Sequence, residues 1–519
     1  MKPPLLAAFA FASLLSAAVG SAAEPRPNIL FVITDDQSWR DTGIAGSRIV
    51  HTPAFDRVAR EGAHFTHSFC ASPSCTPSRS AVLTGRHIWQ IGEAGLLYGT
   101  LPKAYPPFTH ALEDAGYHVG FTGKGWGPGE WQPGGLTRHP LGREYNAKLH
   151  SPPTHETLDA RDYAANFEAF LADRPKGAPF FFWLGATEPH RVYEKGVGKR
   201  WGKNPADVRV PAYWPDTPEI REDILDYAHE IDWFDQQLAR VLTRLENLGE
   251  LDRTLVVVTS DNGMPFPRAK VSLYDPGVRM PLAIRWPGRV SAGRTVDDFV
   301  SHLDFAPTFL EAAGLPVPVL VTGRSLLPVL ASPKSGLIDP ARDRAFTGME
   351  RHTWCRPDGA GYPMRAVRTE RFLFIRNFAP DRWPTGGPEF VSSNKTFHGD
   401  VDGGPIKDFM ENAENQKRFP REFALCYAKR PLEELYDVQA DPDQVNNLAT
   451  DPKFSAPKEK LWAELRVFLE KTGDPRSAGN DPWQASPYRQ TVGYGATFNR
   501  TLGEAERDAA AGRGAHKPQ

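Results

Sequence analysis

Short apolar runs, separated by helical or turn-rich stretches, constrain the fold of this chain more than any other feature of its sequence. The first run, NILFVIT at residues 28–34, is uninterrupted and rich in Ile and Val, which is typical of a strand buried on both faces of a parallel sheet. Similar runs follow at residues 118–121, 180–184, 255–259 and 282–286. This alternation predicts an α/β domain.

Two helices and a change in the pattern of apolar residues can also be placed from the sequence. Apolar residues fall three or four positions apart from Ile224 to Leu248, and Gly249 follows as the expected helix end. After about residue 370 the pattern changes, with a short strand predicted at residues 371–375 and a helix at residues 456–471. We interpret the apolar stripe of the first helix as ordinary core packing.

The size and charge of the chain limit its class. Its 519 residues, 40% of them hydrophobic, are enough to bury a large core and to form two domains. The formal net charge is -2, from 61 Lys and Arg against 63 Asp and Glu. This balance argues against a nucleic-acid partner, whose phosphates require an excess of basic residues.

The N-terminus has the layout of a cleavable export signal. Lys2 precedes an apolar run at residues 5–19, and small residues follow at 20–23. The run is too short to span a membrane comfortably, and no second apolar stretch predicts a membrane span. We expect residues 1–23 to direct export, which gives a periplasmic or secreted protein.

The chain has only four cysteines, Cys70, Cys75, Cys355 and Cys426, which is too few for a fold built on disulfides. Cys355 and Cys426 are open to two readings, a bridge or two inert buried thiols. The sequence does not give the geometry that a bridge demands.

Four of the predicted strands are followed by polar residues: Asp35, Asp36, Lys124, His190, Asp261 and Asn262. Ligands of open α/β sheets bind at the carboxyl ends of strands, so these residues are expected to converge on one pocket. Alone, each acidic pair is ambiguous, because an Asp at a strand end often caps a helix or forms a turn.

Residues 75–86, CTPSRSAVLTGR, carry the most specific signal in the chain. They resemble the signature of the type I, formylglycine-dependent sulfatases. The resemblance implies that a formylglycine-generating enzyme oxidises Cys75 to formylglycine, whose hydrate attacks sulfur, and that Arg79 holds that hydrate. The alternative, a buried thiol in a turn, does not explain the partner motifs elsewhere in the chain.

TDDQ at residues 34–37 and TSDNG at residues 259–263 are similar to the two metal-binding segments of the same family, in the same order. The resemblance implies a metal site with the ligands Asp35, Asp36, Cys75, Asp261 and Asn262. Oxygen ligands favour Ca²⁺ or Mg²⁺ over Zn²⁺, and we expect Ca²⁺ because it tolerates a less regular shell.

Three more segments resemble catalytic motifs of the family. The resemblance implies that Lys124 in TGKGW and Lys270 in PRAKVSLYDPG contact the sulfate, and that His190 in TEPHR protonates the leaving group. Outside their motifs, each of these residues reads more simply as a surface charge or a structural residue.

One residue departs from the family pattern. Many sulfatases have a His two positions after this Lys, where the present chain has Trp126. The usual base for the release of sulfate is therefore not in its place. Either another group takes that proton or the site is slower or differently tuned, and Trp126 could instead wall the substrate pocket.

The resemblance runs from about residue 27 to about residue 468 and is with the heparan N-sulfatase branch at residues 188–191, 259–267 and 362–365. It implies the alkaline-phosphatase-like fold, a large mixed and mostly parallel sheet between helices, with a smaller C-terminal α+β subdomain. We assign residues 24–370 to the catalytic domain and residues 371–519 to the subdomain and tail.

The implied substrate is a sulfate ester or sulfamate on a sugar, from a glycosaminoglycan or another sulfated polysaccharide such as an algal one. Arg191 and His352 are predicted substrate contacts, with structural ion pairing as an equal alternative. The sequence predicts no oligomeric state.

Two other functions stay open on the sequence. A phosphodiesterase or phosphonate hydrolase of the same superfamily is one, because phosphate and sulfate are both tetrahedral oxyanions. CTPSR argues against it, since phosphoryl-transfer relatives commonly use Thr or Ser. A non-catalytic sulfated-glycan-binding protein is the other, and it would keep Cys75 as a thiol.

Overall fold

The computed structural model describes residues 26–155, 157–392, 396–492 and 496–500. The predicted export signal and the end of the tail lie outside the described residues. In chain order the strands are β1 (Asn28–Thr34), β2 (Ala63–Phe65), β3 (Ser68–Phe69), β4 (His118–Gly123), β5 (Arg143–Glu144), β6 (Phe180–Gly185), β7 (Thr254–Ser260), β8 (Arg279–Met280), β9 (Leu282–Arg285), β10 (Arg294–Val296), β11 (Val300–Ser301), β12 (Arg344–Met349), β13 (Met364–Thr369), β14 (Phe372–Asn377), β15 (Glu433–Asp437), β16 (Tyr488–Val492) and β17 (Ala496–Arg500).

The α-helices lie mostly between these strands. In chain order they are α1 (Pro53–Arg60), α2 (Cys75–Thr84), α3 (Phe108–Asp114), α4 (Tyr163–Asp173), α5 (Val197–Arg200), α6 (Pro218–Asn247), α7 (Asp275–Val278), α8 (Phe305–Ala312), α9 (Leu327–Ala331), α10 (Pro405–Glu411), α11 (Ala413–Arg418), α12 (Pro420–Tyr427) and α13 (Ser455–Lys471).

An eight-stranded sheet forms the centre of the larger part of the protein, in the order β10-β2-β9-β7-β1-β6-β4-β5. Strands β7, β1, β6, β4 and β5 run parallel to one another, and β10 runs parallel to β2. Only β9 runs against its neighbours, β7 and β2. The sheet is therefore mixed and mostly parallel, which confirms the predicted fold class.

The first strand, β1, is buried on both faces of this sheet, as its apolar sequence predicts. On one face Phe31 packs edge-on against Phe305 and Phe309 of α8. On the other face Leu30 and Val32 belong to a buried cluster with residues of α1, α4 and α6. Helices thus cover both faces of the sheet.

The long helix α6 confirms the predicted helix and extends it. It begins at Pro218 rather than at Ile224, because Pro is well suited to the first turn of a helix. Leu248 caps its end, and Gly249 follows in the left-handed conformation at φ 67°.

A four-stranded antiparallel sheet, β12-β13-β14-β15, forms the smaller part of the protein. Helix α13 packs on one of its faces through Leu461, Leu465 and Leu469. The predicted strand and helix of this region correspond to β14 and α13. Strand β13 lies before residue 370 and β14 lies after it, and the two strands pair in one sheet. The predicted domain boundary at residue 370 therefore stays a prediction.

The four cysteines are all unpaired and buried. Of the two readings for Cys355 and Cys426, the structure therefore contains the inert thiols. None of the helices in the described ranges is long and apolar enough to cross a membrane.

Candidate active site

The candidate site lies at the carboxyl edge of the eight-stranded sheet. Thr34 of β1 pairs with Ser260 of β7, so Asp35 and Asp261 leave the sheet side by side. Asp36 adopts a left-handed backbone conformation at φ 69°, and its N–H donates to Asp261 Oδ1 at 3.1 Å. The two acidic segments therefore meet, as the sequence predicts.

Strands β4 and β6 bring Lys124 to the same edge. A Cβ on Gly185 would lie 1.8 Å from the Lys124 carbonyl oxygen, and one on Gly123 would lie 1.9 Å from the Gly185 carbonyl oxygen. Only glycine allows this approach, in which the Lys124 N–H donates to the Gly185 carbonyl at 2.7 Å. Lys124 Nζ then reaches Asp35 Oδ2 at 2.5 Å.

Cys75 is the first residue of α2, and its Sγ lies 3.5 Å from Asp35 Oδ1. Only 3% of the residue is exposed. Burial raises the pKa of the Cys75 thiol well above its ordinary value, and Lys124 offsets only part of this effect. The unmodified thiol is therefore protonated at neutral pH and a poor nucleophile.

Beside this residue lie four side chains with oxygen donors: Asp35, Asp36, Asp261 and Asn262. The Asn262 amide donates to Asp36 Oδ1 at 2.5 Å, and Asn262 Oδ1 is buried without a hydrogen-bond partner among the described residues. A cation would satisfy such an acceptor. Three carboxylates and an amide oxygen suit a hard ion such as Ca²⁺ or Mg²⁺, so these residues fit the metal that the sequence predicts.

Burial makes the charge on this cluster costly. Burial acts to raise the pKa of Asp35, but Lys124 and other cations hold it far below its ordinary value. Burial raises the pKa of Asp36 to about 6, although Lys270 lowers it. Burial, and then Asp35, also raise the pKa of Asp261. A bound cation would keep all three carboxylates ionised.

Arg79 is fully buried against the cluster. Its Nε donates to Asp261 Oδ2 at 2.7 Å, and its Nη1 donates to the Lys124 and Gly125 carbonyls at 2.8 and 2.9 Å. Its Nη2 lies 3.9 Å from Asp35 Oδ1 and has no hydrogen-bond partner in the described part of the chain. Arg79 Nη2 is thus a buried donor close to Asp35. Cys75 Sγ contacts the same carboxylate.

Lys270 and His190 both approach Asp36. Lys270 Nζ donates to Asp36 Oδ2 at 2.8 Å, and His190 Nε2 lies 3.7 Å from the same oxygen. His190 Nδ1 lies 2.8 Å from the Arg191 carbonyl, which can only accept, so Nδ1 carries a proton. The structure thus brings together all the residues predicted for metal binding and catalysis.

A family model described as Sulfatase matches residues 27–315, more than half of the chain. The chain belongs to the sulfatase family. A second model, described as N-sulphoglucosamine sulphohydrolase, C-terminal, matches residues 268–384 of this sulfatase. Sulfatases in general depend on formylglycine and a metal, and the acidic cluster described above is a candidate for that metal.

Curated relatives cover most of this sulfatase. Human N-sulphoglucosamine sulphohydrolase is 29% identical over 510 residues, which span 90% of this chain and 92% of the relative. An ulvan-active sulfatase from Formosa agariphila is 28% identical over 475 residues, or 88% of this chain and 82% of the relative.

Solved structures share the fold of this sulfatase. One, solved in complex with its substrate D-glucosamine-2-N,6-O-disulfate, has a TM-score of 0.61 at 21% identity and covers 88% of this chain and 99% of that one. A phosphonate monoester hydrolase from Silicibacter pomeroyi has a TM-score of 0.62 at 17% identity and covers 92% and 99%. The fold is thus alkaline-phosphatase-like, and at these identities the likeness shows the fold alone.

In the structure, other residues of the protein bind the two side chains that were predicted to contact the substrate. Arg191 donates to both carboxylate oxygens of Asp223, at 3.0 and 2.5 Å, and its side chain is 5% exposed. His352 Nδ1 lies 2.8 Å from Ser74 Oγ, and burial lowers the pKa of His352 to about 4. Structural ion pairing therefore describes Arg191, and contact of either residue with a substrate stays a prediction.

Trp126, which stands where many sulfatases have a His, packs in the core. Its Nε1 donates to Ser80 Oγ of α2 at 2.8 Å, and the residue is 8% exposed. It belongs to the buried cluster on one face of the main sheet. Trp126 therefore contributes to packing on α2, and its alternative role as a wall of the substrate pocket stays a prediction.

One residue of the site, Asp402, could not be found from the sequence. Its Oδ2 accepts from Lys270 Nζ at 2.8 Å, and ligand atoms of Asp402, Asp36 and His190 lie within 4.8 Å of one another. Residues 400–404, DVDGG, read as a turn, and no motif connects them with the pocket. Only the folded chain brings Asp402 to Lys270.

Proposed function

We propose that this sulfatase hydrolyses a sulfate ester or sulfamate on a sugar, with formylglycine at residue 75 and Ca²⁺ as its cofactors. One observation carries the proposal. Residue 75, three buried carboxylates and the buried cations Arg79, Lys124 and Lys270 meet in one pocket, although distant strand ends and loops supply them. Such a pocket receives an anion beside a candidate nucleophile.

Asp35, Asp36, Asp261 and Asn262 would hold the Ca²⁺ together with residue 75. When bound, the ion would add two positive charges, which together with those of Arg79, Lys124 and Lys270 outweigh the three carboxylates, and it would withdraw charge from the sulfate group. Mg²⁺ takes the same kind of ligand but demands a regular octahedral shell, so it is the less favoured ion. The unpartnered Oδ1 of Asn262 supports this assignment.

Formylglycine, once formed from Cys75 by a formylglycine-generating enzyme, supplies a hydrated aldehyde with one hydroxyl for attack on sulfur and a second for the release of sulfate. The pocket supports this conversion, because the protonated Cys75 thiol is a poor nucleophile. Arg79 and Lys124 would hold the oxygen atoms of the converted residue. Both already bind its neighbours, Asp261 and Asp35.

His190 would give a proton from Nε2, the ring nitrogen that faces Asp36, to the leaving oxygen or nitrogen, while its Nδ1–H stays on the Arg191 carbonyl. Its side chain is 33% exposed while the carboxylate beside it is buried, so the ring stands between the metal ligands and solvent. Lys270 would bind a sulfate oxygen through a charge-assisted hydrogen bond. His190 would thus act on the leaving group, and Lys270 would act on the sulfate that is transferred.

The substrate belongs, in this proposal, to the glycosaminoglycan-type sulfated sugars. The match of residues 268–384 to the N-sulphoglucosamine sulphohydrolase model and the similarity to the human enzyme support it. The ulvan-active relative keeps an algal polysaccharide as an alternative source. Export through residues 1–23, and a catalytic domain at 24–370 with a subdomain after it, belong to the same proposal.

A second candidate function is phosphonate or phosphodiester hydrolysis, which the likeness to the phosphonate monoester hydrolase favours. The two kinds of tetrahedral anion carry the same single negative charge at neutral pH and differ in their central atom and its substituents. Comparison of the turnover of an aryl sulfate and an aryl phosphonate by one preparation separates the two activities.

A sulfate-release screen over N-sulfated and O-sulfated saccharides tests the proposal. The protein is made in a host with a formylglycine-generating enzyme, and Cys75→Ala is the matched control. Release of sulfate by the wild-type chain alone supports the proposal. Faster turnover of the phosphonate supports the second candidate, and a thiol at residue 75 in the mass of the 71–86 peptide, with no release, supports a glycan-binding protein.

A further inference from the structure

The candidate site has a deeply buried part and a more exposed part. Arg79, Lys124 and Lys270 are at most 8% exposed, so they form its floor. Two residues above this floor retain more exposure and have no role in the proposed chemistry. Asp402 has a side chain that is 26% exposed, and Tyr98 is partly exposed.

Tyr98 is fixed beside the reactive residue. Its N–H donates to the Pro128 carbonyl at 3.1 Å, and the hydroxyl of Thr76, the residue after Cys75, donates to the same oxygen. Its ring packs in a small cluster with Trp354 and Phe390. The backbone of Tyr98 is thus tied through one shared carbonyl to the start of α2.

The backbone of Tyr98 is strained. Its φ is 56°, in the left-handed region, which is unfavourable for a residue with a Cβ. Such strain persists where the surrounding structure requires a particular side-chain position, and binding sites are the commonest place. Burial, and the neighbouring Cys75 and Asp402, raise the pKa of Tyr98 to about 12, so the phenol stays neutral and does not repel an anionic substrate.

Asp402 has one oxygen engaged and one available. Oδ2 accepts from Lys270, while Oδ1 has no hydrogen-bond partner within the described ranges and is not enclosed. A carboxylate oxygen can only accept, so its ligand must be a donor. A sulfate group has no hydrogen-bond donor at neutral pH, whereas the hydroxyl and amino groups of a sugar can donate.

We infer that Tyr98 and Asp402 form the sugar-binding edge of the site, in which the ring of the sulfated sugar lies against Tyr98 and a hydroxyl or N–H of the same sugar donates to Asp402. This inference rests on the proposed function and specifies how its substrate is recognised. Aromatic faces bind the C–H faces of sugar rings, and the charged acceptor fixes the orientation of the ring. The floor of the pocket then receives only the sulfate.

The test compares two ligands, inorganic sulfate and D-glucosamine N-sulfate. Both are titrated calorimetrically, in buffer containing Ca²⁺, into a Cys75→Ala chain, which binds without turnover. The readout is the ratio of the dissociation constant for sulfate to that for the sugar. This ratio isolates the contribution of the sugar, because both ligands share the sulfate group.

Tyr98→Leu and Asp402→Ala, each in the Cys75→Ala chain, are expected to lower this ratio about tenfold, while Tyr98→Phe leaves it within about twofold. Asp402→Ala should also bind inorganic sulfate more tightly, because it removes a negative charge and frees Lys270. Tyr98→Asn, whose side chain tolerates the left-handed backbone, repeats the loss of the ring without added strain.

An unchanged ratio in Tyr98→Leu and Tyr98→Asn, or in Asp402→Ala, would overturn the inference. This outcome is separate from a failure of the proposed function. If the converted wild-type chain releases sulfate while the ratio is unchanged, the inference alone is wrong. If the ratio falls and no saccharide releases sulfate, the binding edge stands and the proposed hydrolysis is wrong.

Discussion

Lys124 Nζ and Asp35 Oδ2 lie 2.5 Å apart at the point where β4 and β1 leave the main sheet. The lysine side chain is 8% exposed and the carboxylate 3% exposed, so water screens this pair little. The pair joins the predicted metal ligand to the predicted sulfate contact. Loss of either partner leaves the other as a buried charge.

Lys124→Met is expected to lower kcat by roughly 10²–10³-fold, because it removes a preorganised cation from the anion-binding pocket. Steady-state sulfate release measures this effect. Lys417→Met is the matched control, since Lys417 is 73% exposed and pairs with Glu414 on the surface. A kcat of Lys124→Met equal to that of the control would contradict the role of Lys124.

The stability gained from Ca²⁺ should depend on pH through Asp36. Burial raises the pKa of Asp36 from its ordinary 3.8 to about 6 in the ion-free protein. The folded state then binds this proton more tightly than the unfolded chain, so the contribution of Asp36 is full below about pH 4 and is lost as the pH rises through about 6. Ca²⁺ binds the ionised carboxylate and restores this loss.

The rise in Tm on exchange of EDTA for Ca²⁺ is therefore expected to be larger at about pH 7.5 than at about pH 5, with a gain of about 2.7 kcal/mol at an ion concentration a hundred times Kd. Thermal unfolding followed by tryptophan fluorescence measures the difference. Asp36→Asn should lose most of it. Equal shifts at the two pH values would be inconsistent with a calcium site on Asp36.

Arg191→Ala is expected to destabilise the protein by about 3–5 kcal/mol, because it leaves Asp223 charged and unpaired in a buried position. The double variant Arg191→Met with Asp223→Leu should recover most of this loss, because it removes both charges. Chemical denaturation gives the free energies of unfolding of the three proteins. Unchanged stability of Arg191→Ala together with a raised KM would instead make Arg191 a substrate contact.

Trp126→Phe is expected to cost about 1 kcal/mol through the lost hydrogen bond to Ser80, and Trp126→Ala about 3–5 kcal/mol through a cavity in the core. The KM for a sulfated sugar should stay the same in Trp126→Phe if the indole serves only to pack in the core against α2. Unfolding curves and initial rates test both statements. A raised KM with unchanged stability would return Trp126 to the wall of the pocket.

Much of the site was predictable because its residues follow apolar strands. The run at residues 28–34 places Asp35 and Asp36 at a strand end, and the run at residues 255–259 does the same for Asp261 and Asn262. Two buried parallel strands must end at the same edge of the sheet. CTPSR then identified the helix start that completes the pocket.

The residues that the sequence did not reveal reach the site through loops. Asp402 lies in a segment that reads as a turn, and Tyr98 follows two short 3₁₀ turns with no repeating pattern. The buried partner of Arg191 was also hidden, because Asp223 sits in the first turns of a helix whose polar positions read as solvent-exposed. Such contacts depend on tertiary structure and produce no periodic pattern in the sequence.

Diffraction from crystals of protein made in a host with a formylglycine-generating enzyme and grown with Ca²⁺ tests most directly whether a dication and an oxidised residue 75 share one pocket. We predict one ion with oxygen atoms of Asp35, Asp36, Asp261 and Asn262 at about 2.3–2.6 Å, and a further oxygen ligand from formylglycine at residue 75. A thiol at residue 75 in density that holds no ion between these four side chains would contradict the proposal.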